Sequence, residues 1–403
     1  MSQPYNVFNS AEFADREAEV ERVGAILKEK NRGVLIFEGA RGSGKSAFLF
    51  ELYRRFQEQS EIRPFLIGLL PYSADEFKEN ENIWLSPERA FQKQDIPAVL
   101  KRLARYLGID FIESDDRDFQ KDYFARGLAY RKSKNVPVLL VDSVYECPEE
   151  VRIEIEKYIF APLLASERVF LILSGRGKRP IWSSPELQMA EFFTLEPLEK
   201  DDVKEQLAKL QKAKKSKRDE SEYDEIAELS CGYPLIARVM AESKKESLAD
   251  ALDKAIDIMI KDTLPEPEQE REKYSQTRSQ IEKLSLVDIP FRIADVEAYL
   301  YPGDPERRAK TNELVALLLA SGLLRYEGKG YQLNPSVTHP TRKLLARKGQ
   351  YGDYLNQLAK ASRKLQEDYP SAKAWYQRML PAEGTSSNHT FLSSNLGKTE
   401  YAA

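Results

Sequence analysis

Residues 34–56 read VLIFEGARGSGKSAFLFELYRRF. The first four, Val34 to Phe37, form a short apolar run of the kind that becomes a buried strand. Glycines at 39, 42 and 44 then break any regular element. AFLFELYRRF, 47–56, reads as a helix. Gly39-Ala-Arg-Gly-Ser-Gly-Lys-Ser46 fits the pattern G-x-x-x-x-G-K-[ST] at every fixed position, between a strand and a helix. Glycines there let backbone N–H groups wrap around phosphates without interference from Cβ atoms. The helix that follows turns its positive end toward the same point. The pattern predicts an ATP site formed by Gly39, Arg41, Gly42, Ser43, Gly44, Lys45, Ser46 and Ala47. Lys45 is expected at the β- and γ-phosphates and the Ser46 hydroxyl on Mg²⁺.

Outward from this loop the apolar runs recur. PFLIGLL (64–70), VPVLLVD (136–142) and RVFLILSG (168–175) read as further strands, with helical patterns at 16–30 and 96–107. Continuous apolar strands separated by amphipathic helices predict a parallel sheet covered on both faces. Asp142 ends the second of these runs. A carboxylate at the tip of a buried strand is what the Mg²⁺ shell of a phosphate loop requires. Position 143, where many fast P-loop ATPases carry a glutamate, is serine, so hydrolysis is expected to be slow; Glu146 is the nearest acid after it. Leu173-Ser-Gly-Arg176 ends another strand, and Arg176 there is a candidate sensor of γ-phosphate charge.

Beyond Pro197 the character changes. Residues 201–260 are charged and helical, and TLPEPEQEREKY (263–274) reads as a linker or exposed turn. Residues 277–350 give three short helices and then two strand-like pieces around Gly328-Lys-Gly330, the pattern of a winged helix. The expected fold class is an α/β P-loop NTPase, a parallel sheet between helices, followed by a helical lid domain and a winged-helix domain. Expected bounds are 1–198 for the nucleotide-binding domain, 199–262 for the lid and 275–350 for the winged helix. C-terminal helices are expected over 351–380 and a disordered tail over 381–403.

Composition limits the alternatives. The 403 residues are 42% hydrophobic and 31% charged, with a formal net charge of -4, which argues against a chain that coats nucleic acid. Two distant cysteines, Cys147 and Cys231, supply neither a disulfide framework nor a cysteine metal site. No signal-peptide pattern and no run of about 18 apolar residues occurs. The cytoplasm is the expected compartment, with no membrane contact.

In order along the chain, these landmarks resemble the signal-transducing ATPases with numerous domains, the STAND class related to AAA+ proteins. Phe13-Ala-Asp-Arg-Glu17 is similar to the class's F-x-G-R-E segment, with Asp15 in place of glycine. Ser174-Gly-Arg176 is similar to its T-S-R, and Phe193-Thr-Leu-Glu-Pro-Leu198 to its L-x-P-L. Gly232-Tyr-Pro234 matches its G-x-P turn, where the resemblance implies that Pro234 packs on the adenine. Val337-Thr-His-Pro-Thr-Arg-Lys-Leu-Leu345 is similar to its M-H-D region, with Thr338 and Pro340 in place of Met and Asp. There the resemblance implies that His339 bonds the β-phosphate of ADP and locks a closed state. It further implies a slow ATPase switch, in which exchange of ADP for ATP opens the domains and drives assembly with itself or a protein partner.

Between 301 and 350, nine Lys and Arg face four acids, an excess of five. The alternative is therefore an AAA+ ATPase that contacts DNA through this segment, with Arg307, Arg308 and Lys310 before or at the start of the third helix and Lys329 at the wing tip, and loads or regulates proteins there.

Overall fold

The computed structural model describes residues 13–30, 32–39, 41–68, 83–84, 135–146, 149–165, 169–176, 179–243, 246–260, 271–326, 328 and 330–380. The helix expected over 96–107, Lys329, Cys147 and the tail 381–403 lie outside them. The chain divides into two compact units, Met1–Lys244 and Lys245–Ala403.

The first unit is built on strands β1 (Gly33–Glu38), β2 (Ile62–Gly68), β3 (Ile83–Trp84), β4 (Val136–Asp142), β5 (Phe170–Gly175) and β6 (Glu191–Thr194). They form one sheet in the order β3-β2-β4-β5-β1-β6, and every pairing is parallel. Alternate residues along each strand enter opposite cores, as a period of two requires. Val34 and Ile36 of β1 join Leu139, Val141, Leu171 and Leu173 on one face. Leu35 and Phe37 join Val138, Leu140, Phe170 and Ile172 on the other. Both faces being covered is the reason the strands read as continuous apolar runs.

Helices α1 (Glu17–Glu29) and α2 (Lys45–Gln57) cover the second face through Val23, Leu27, Phe48, Leu49 and Leu52. Phe37 is stacked between them and the edge, its ring 4.8 Å from Phe48 and 5.0 Å from Phe193 of β6. The first face is covered by α3 (Glu149–Ile155), which continues through a π-helical turn (Glu156–Phe160) into α4 (Ala161–Ala165). A short helix, α5 (Pro185–Gln188), follows β5. The unit then continues as α6 (Lys200–Lys212), α7 (Tyr223–Ser230) and α8 (Pro234–Glu242).

In the second unit, α9 (Leu248–Ile260) is followed by α10 (Arg271–Leu284), α11 (Ile293–Leu300) and α12 (Arg307–Ala320). Strands β7 (Leu324–Tyr326) and β8 (Tyr331–Leu333) pair antiparallel, and Phe291 bridges to Tyr331 beside them. Helices α13 (Pro335–Arg347), α14 (Tyr351–Asp368) and α15 (Lys373–Gln377) complete it. Arg278, 8% exposed, joins helices by pairing with Asp253 and Asp257 of α9 and with Glu282 of its own helix. The stretch expected as a linker to residue 274 is already helical from Arg271. Among the described residues no helix is long and apolar enough to cross a membrane.

Candidate functional site

In a parallel sheet the carboxyl ends of all strands lie on one side, and ligands bind there. Register sets what meets at that edge. Glu38 of β1 lies opposite Gly175 of β5, and Phe37 opposite Ser174. Val141 of β4 lies opposite Leu173. The tips of β1, β4 and β5 thus bring together the glycine-rich loop, Asp142 and the Ser174–Arg176 segment.

The loop leaves β1 and enters α2 through Gly42 (φ 80) and Gly44 (φ 92). Both lie in the left-handed region, which glycine adopts without a Cβ penalty. Gly44 is the N-cap of α2 and Lys45 its first residue, so the N–H groups of the first turn have no acceptor within the helix. At Gly39 a Cβ would lie 2.8 Å from Ser43 Oγ, so a larger residue there would force the Ser43 side chain to shift. Ser43 is buried, and its Oγ has no hydrogen-bond partner. Ser46 and Ala47 are half-buried at the helix start, and Arg41 is half-buried in the loop.

Lys45 is 8% exposed and its Nζ donates to the Gly39 carbonyl at 2.9 Å. Burial lowers its pKa to about 8; Glu146 and Asp142 oppose that, and Arg176 and Arg41 add to it. A cation held in a partly desolvated site gains most when an anion arrives.

Asp142, 3% exposed, accepts a hydrogen bond on Oδ1 from the Ser174 hydroxyl. The same Ser174 Oγ accepts from the Ser143 backbone N–H at 3.2 Å. Ser174 thereby fixes the carboxylate, and Oδ2 is left buried with no hydrogen-bond partner. An ionised carboxylate oxygen in that position requires a cation or a water.

Arg176 follows β5 directly and pairs with Glu146, Nε to Oε1 at 3.3 Å. Glu38, at the end of β1, accepts from Tyr145 Oη at 2.6 Å and from Arg179 at 2.9 and 2.7 Å. Burial, then the Glu38 carboxylate, raises the Tyr145 pKa. Sequence reading did not assign Glu38 or Tyr145, and it left the reach of Glu146 open. Their only linear signal is position next to a marked residue.

Pro234 begins α8, and a Cβ at Gly44 would lie 3.8 Å from its Cγ. Leu235 N–H donates to the Gly42 carbonyl at 3.4 Å. Gly232 (φ 77) leaves room for Leu198, whose N–H donates to the Gly232 carbonyl at 2.8 Å. The G-x-P turn is therefore in contact with the loop. Asp15, standing where the resemblance has glycine, takes the left-handed φ of 57 that a glycine would favour. Arg16 beside it donates to the Glu196 carbonyl.

His339 belongs to the second unit, on α13. The residue is exposed. Desolvation, then the charge of Arg342, lowers its pKa to about 4; Asp288 opposes that and Lys343 adds to it. At neutral pH the imidazole is uncharged, with one N–H to donate.

No family model matches the chain, and no curated protein matches it. Among solved structures it is similar to the Walker-type ATPase PABY2304 of Pyrococcus abyssi, with TM-score 0.50 and 16% identity over 83% of this chain and 97% of that one. The Thermotoga maritima RuvB Holliday junction branch migration motor gives TM-score 0.39 at 13% identity, over 81% and 95% of the two chains. Drosophila ORC bound to DNA gives 0.39 at 14% identity, over 85% and 98%. The last two scores are too low to carry an argument. The first, together with strand order and loop geometry, shows that the chain has an α/β P-loop NTPase fold.

Proposed function

We propose that the first unit binds ATP with Mg²⁺ at Gly39–Ser46 and hydrolyses it slowly, as a nucleotide switch of the STAND kind. The observation that carries this reading is a pair of buried oxygens, Ser43 Oγ in the loop and Asp142 Oδ2 at the tip of β4, neither of which has a hydrogen-bond partner. A triphosphate and its cation supply what both lack. The donor set, one hydroxyl and one carboxylate, suits Mg²⁺, which keeps several waters and takes few protein ligands. Ser46 and Asp142 would hold it, and when bound it neutralises charge on the β- and γ-phosphates. Lys45 exchanges the Gly39 carbonyl for phosphate oxygens. Arg176 senses the γ-phosphate, and Pro234 packs against the base.

In this reading residues 199–262 act as a lid and 275–350 as a winged helix that moves with the nucleotide. The order of α11, α12, β7 and β8 supports the latter. His339, neutral and able to donate, bonds the β-phosphate of ADP in the closed state, and exchange for ATP releases an assembly surface for a protein partner or another copy. The compartment is the cytoplasm.

The DNA-contacting alternative has weaker support. Arg307 and Arg308 both pair with Glu297, and Lys310 pairs with Asp304 and Glu306. On binding DNA, these acids would compete with phosphates for the same cations.

The test is to purify the full chain without added nucleotide, denature it and identify what is released, with His339→Ala alongside. The switch predicts one ADP per chain, lost in the variant. An empty wild type that binds ATP indifferently to His339→Ala would refute the lock.

A further inference from the structure

After Asp142 the chain does not run on as a strand. Ser143 is buried, and it adopts φ 64 although it is not glycine. Val144 N–H then donates to the Ser174 carbonyl at 2.8 Å. This turn returns the chain to the strand tips and delivers Glu146 there. One carboxylate oxygen lies 3.3 Å from Arg176 Nε, and the other accepts the Arg176 backbone N–H at 3.4 Å. The Glu146 side chain is 10% exposed and that of Arg176 15%.

Three charged groups act electrostatically on Glu146 from three elements: Lys45 on α2, Arg176 after β5 and Asp142 on β4. Burial raises its pKa to about 7; Lys45 and Arg176 pull it down, and Asp142 pushes it up. Hydrolysis of a phosphoanhydride needs a group that orients the attacking water and takes its proton. The residue directly after Asp142 cannot serve, because Ser143 has no carboxylate and its N–H is held by Ser174. Glu146 is in direct contact with Arg176 and close enough to Lys45 for their charges to interact.

We propose that Glu146 is the catalytic base for the water that attacks the γ-phosphate, and that Arg176 is its positioning residue. The water oxygen bonds to the γ-phosphorus while its proton passes to the Glu146 carboxylate. The bond from that phosphorus to the β–γ bridging oxygen breaks, and its electron pair leaves with ADP. Before ATP arrives, Arg176 holds the carboxylate. The γ-phosphate then gives Arg176 a second anionic partner and loosens Glu146 toward the water. This inference rests on the ATP-binding reading above.

The test uses the full chain with Mg²⁺. Equilibrium binding of a fluorescent ATP analogue is measured beside single-turnover hydrolysis of γ-labelled ATP. Glu146→Gln is expected to bind within about threefold of wild type and to hydrolyse at least about 100-fold more slowly, the low end for loss of a general base. Glu146→Asp keeps the charge but withdraws the carboxylate, and is expected to bind normally with a rate loss of the same sign. That second variant covers misfolding of the first. Arg176→Ala is expected to bind the analogue and to lose rate less than Glu146→Gln does. A folded Glu146→Gln protein that hydrolyses ATP at the wild-type rate would overturn the assignment. So would a wild type that binds the analogue without hydrolysing ATP. A wild type that binds no analogue fails differently, because it removes the ATP-binding reading itself.

Discussion

At the scale of single residues, the site depends on a few atoms with no substitute. Ser174 both donates to Asp142 and accepts from Ser143 N–H. Ser174→Ala leaves the carboxylate unfixed, and the apparent Mg²⁺ affinity in the presence of ATP should fall about tenfold or more, read by titrating Mg²⁺ against bound nucleotide. Gly175 is equally constrained, since a Cβ there would lie 2.3 to 2.7 Å from the Tyr145 ring. Tyr145 is tied to Glu38 by its hydroxyl and has little freedom to yield. Gly175→Ala should cost about 1–3 kcal/mol, seen as a lower denaturant midpoint at unchanged slope. The strand, loop and helix that place Gly39, Lys45 and Ser46 were legible because the glycine-rich pattern fixes residue types and spacing, and the strand-tip position of Asp142 was legible as the end of an apolar run. Tyr145 and Glu38 were not, and Glu146 was visible only as the nearest acid after position 143. They converge through strand register and through a left-handed turn at Ser143, and neither has a linear signature.

At the scale of elements, α2 carries the phosphate loop at one end and an ion cluster at the other. Glu51 is buried. Burial raises its pKa, but hydrogen bonds from Arg54 and Arg55 outweigh that and hold it below the ordinary 4.5. A carboxylate depressed in the folded state contributes stability that is complete above its unfolded value and lost as pH falls through the folded one. Thermal stability should therefore fall as pH drops below about 4.5, with a smaller acid-induced loss in Arg55→Ala, measured by melting across pH. In the core, Phe48 touches Phe37 and is fully buried, so Phe48→Ala should cost about 3–5 kcal/mol by urea unfolding. Strands β1, β2, β4 and β5 were legible because both of their faces are covered. The short edge strand β6, Glu191–Thr194, lacks such a run. The start of α10 was misread because the prolines and acids of 263–270 suggested a break. Residues 271–284 carry helix formers and the i,i+4 pair Arg278–Glu282.

At the scale of the whole molecule, the division into units falls between Lys244 and Lys245, inside the stretch 199–262 that the sequence groups as one helical segment. A uniform helical pattern has no local mark for such a boundary. A ligand that binds only the folded protein stabilises it by mass action, about 2.7 kcal/mol at 100 times its dissociation constant. Saturating Mg²⁺-ATP should therefore raise the melting temperature of the full chain. The measurement that tests the central claim most directly is calorimetric titration of the nucleotide-stripped full chain with ATP and Mg²⁺, beside Lys45→Ala. One site per chain is predicted, weakened at least about thirtyfold in the variant, the ~2 kcal/mol low end for truncating one partner of a buried charge pair. A wild type that takes up no ATP, or a folded Lys45→Ala protein that binds it equally well, would contradict the account.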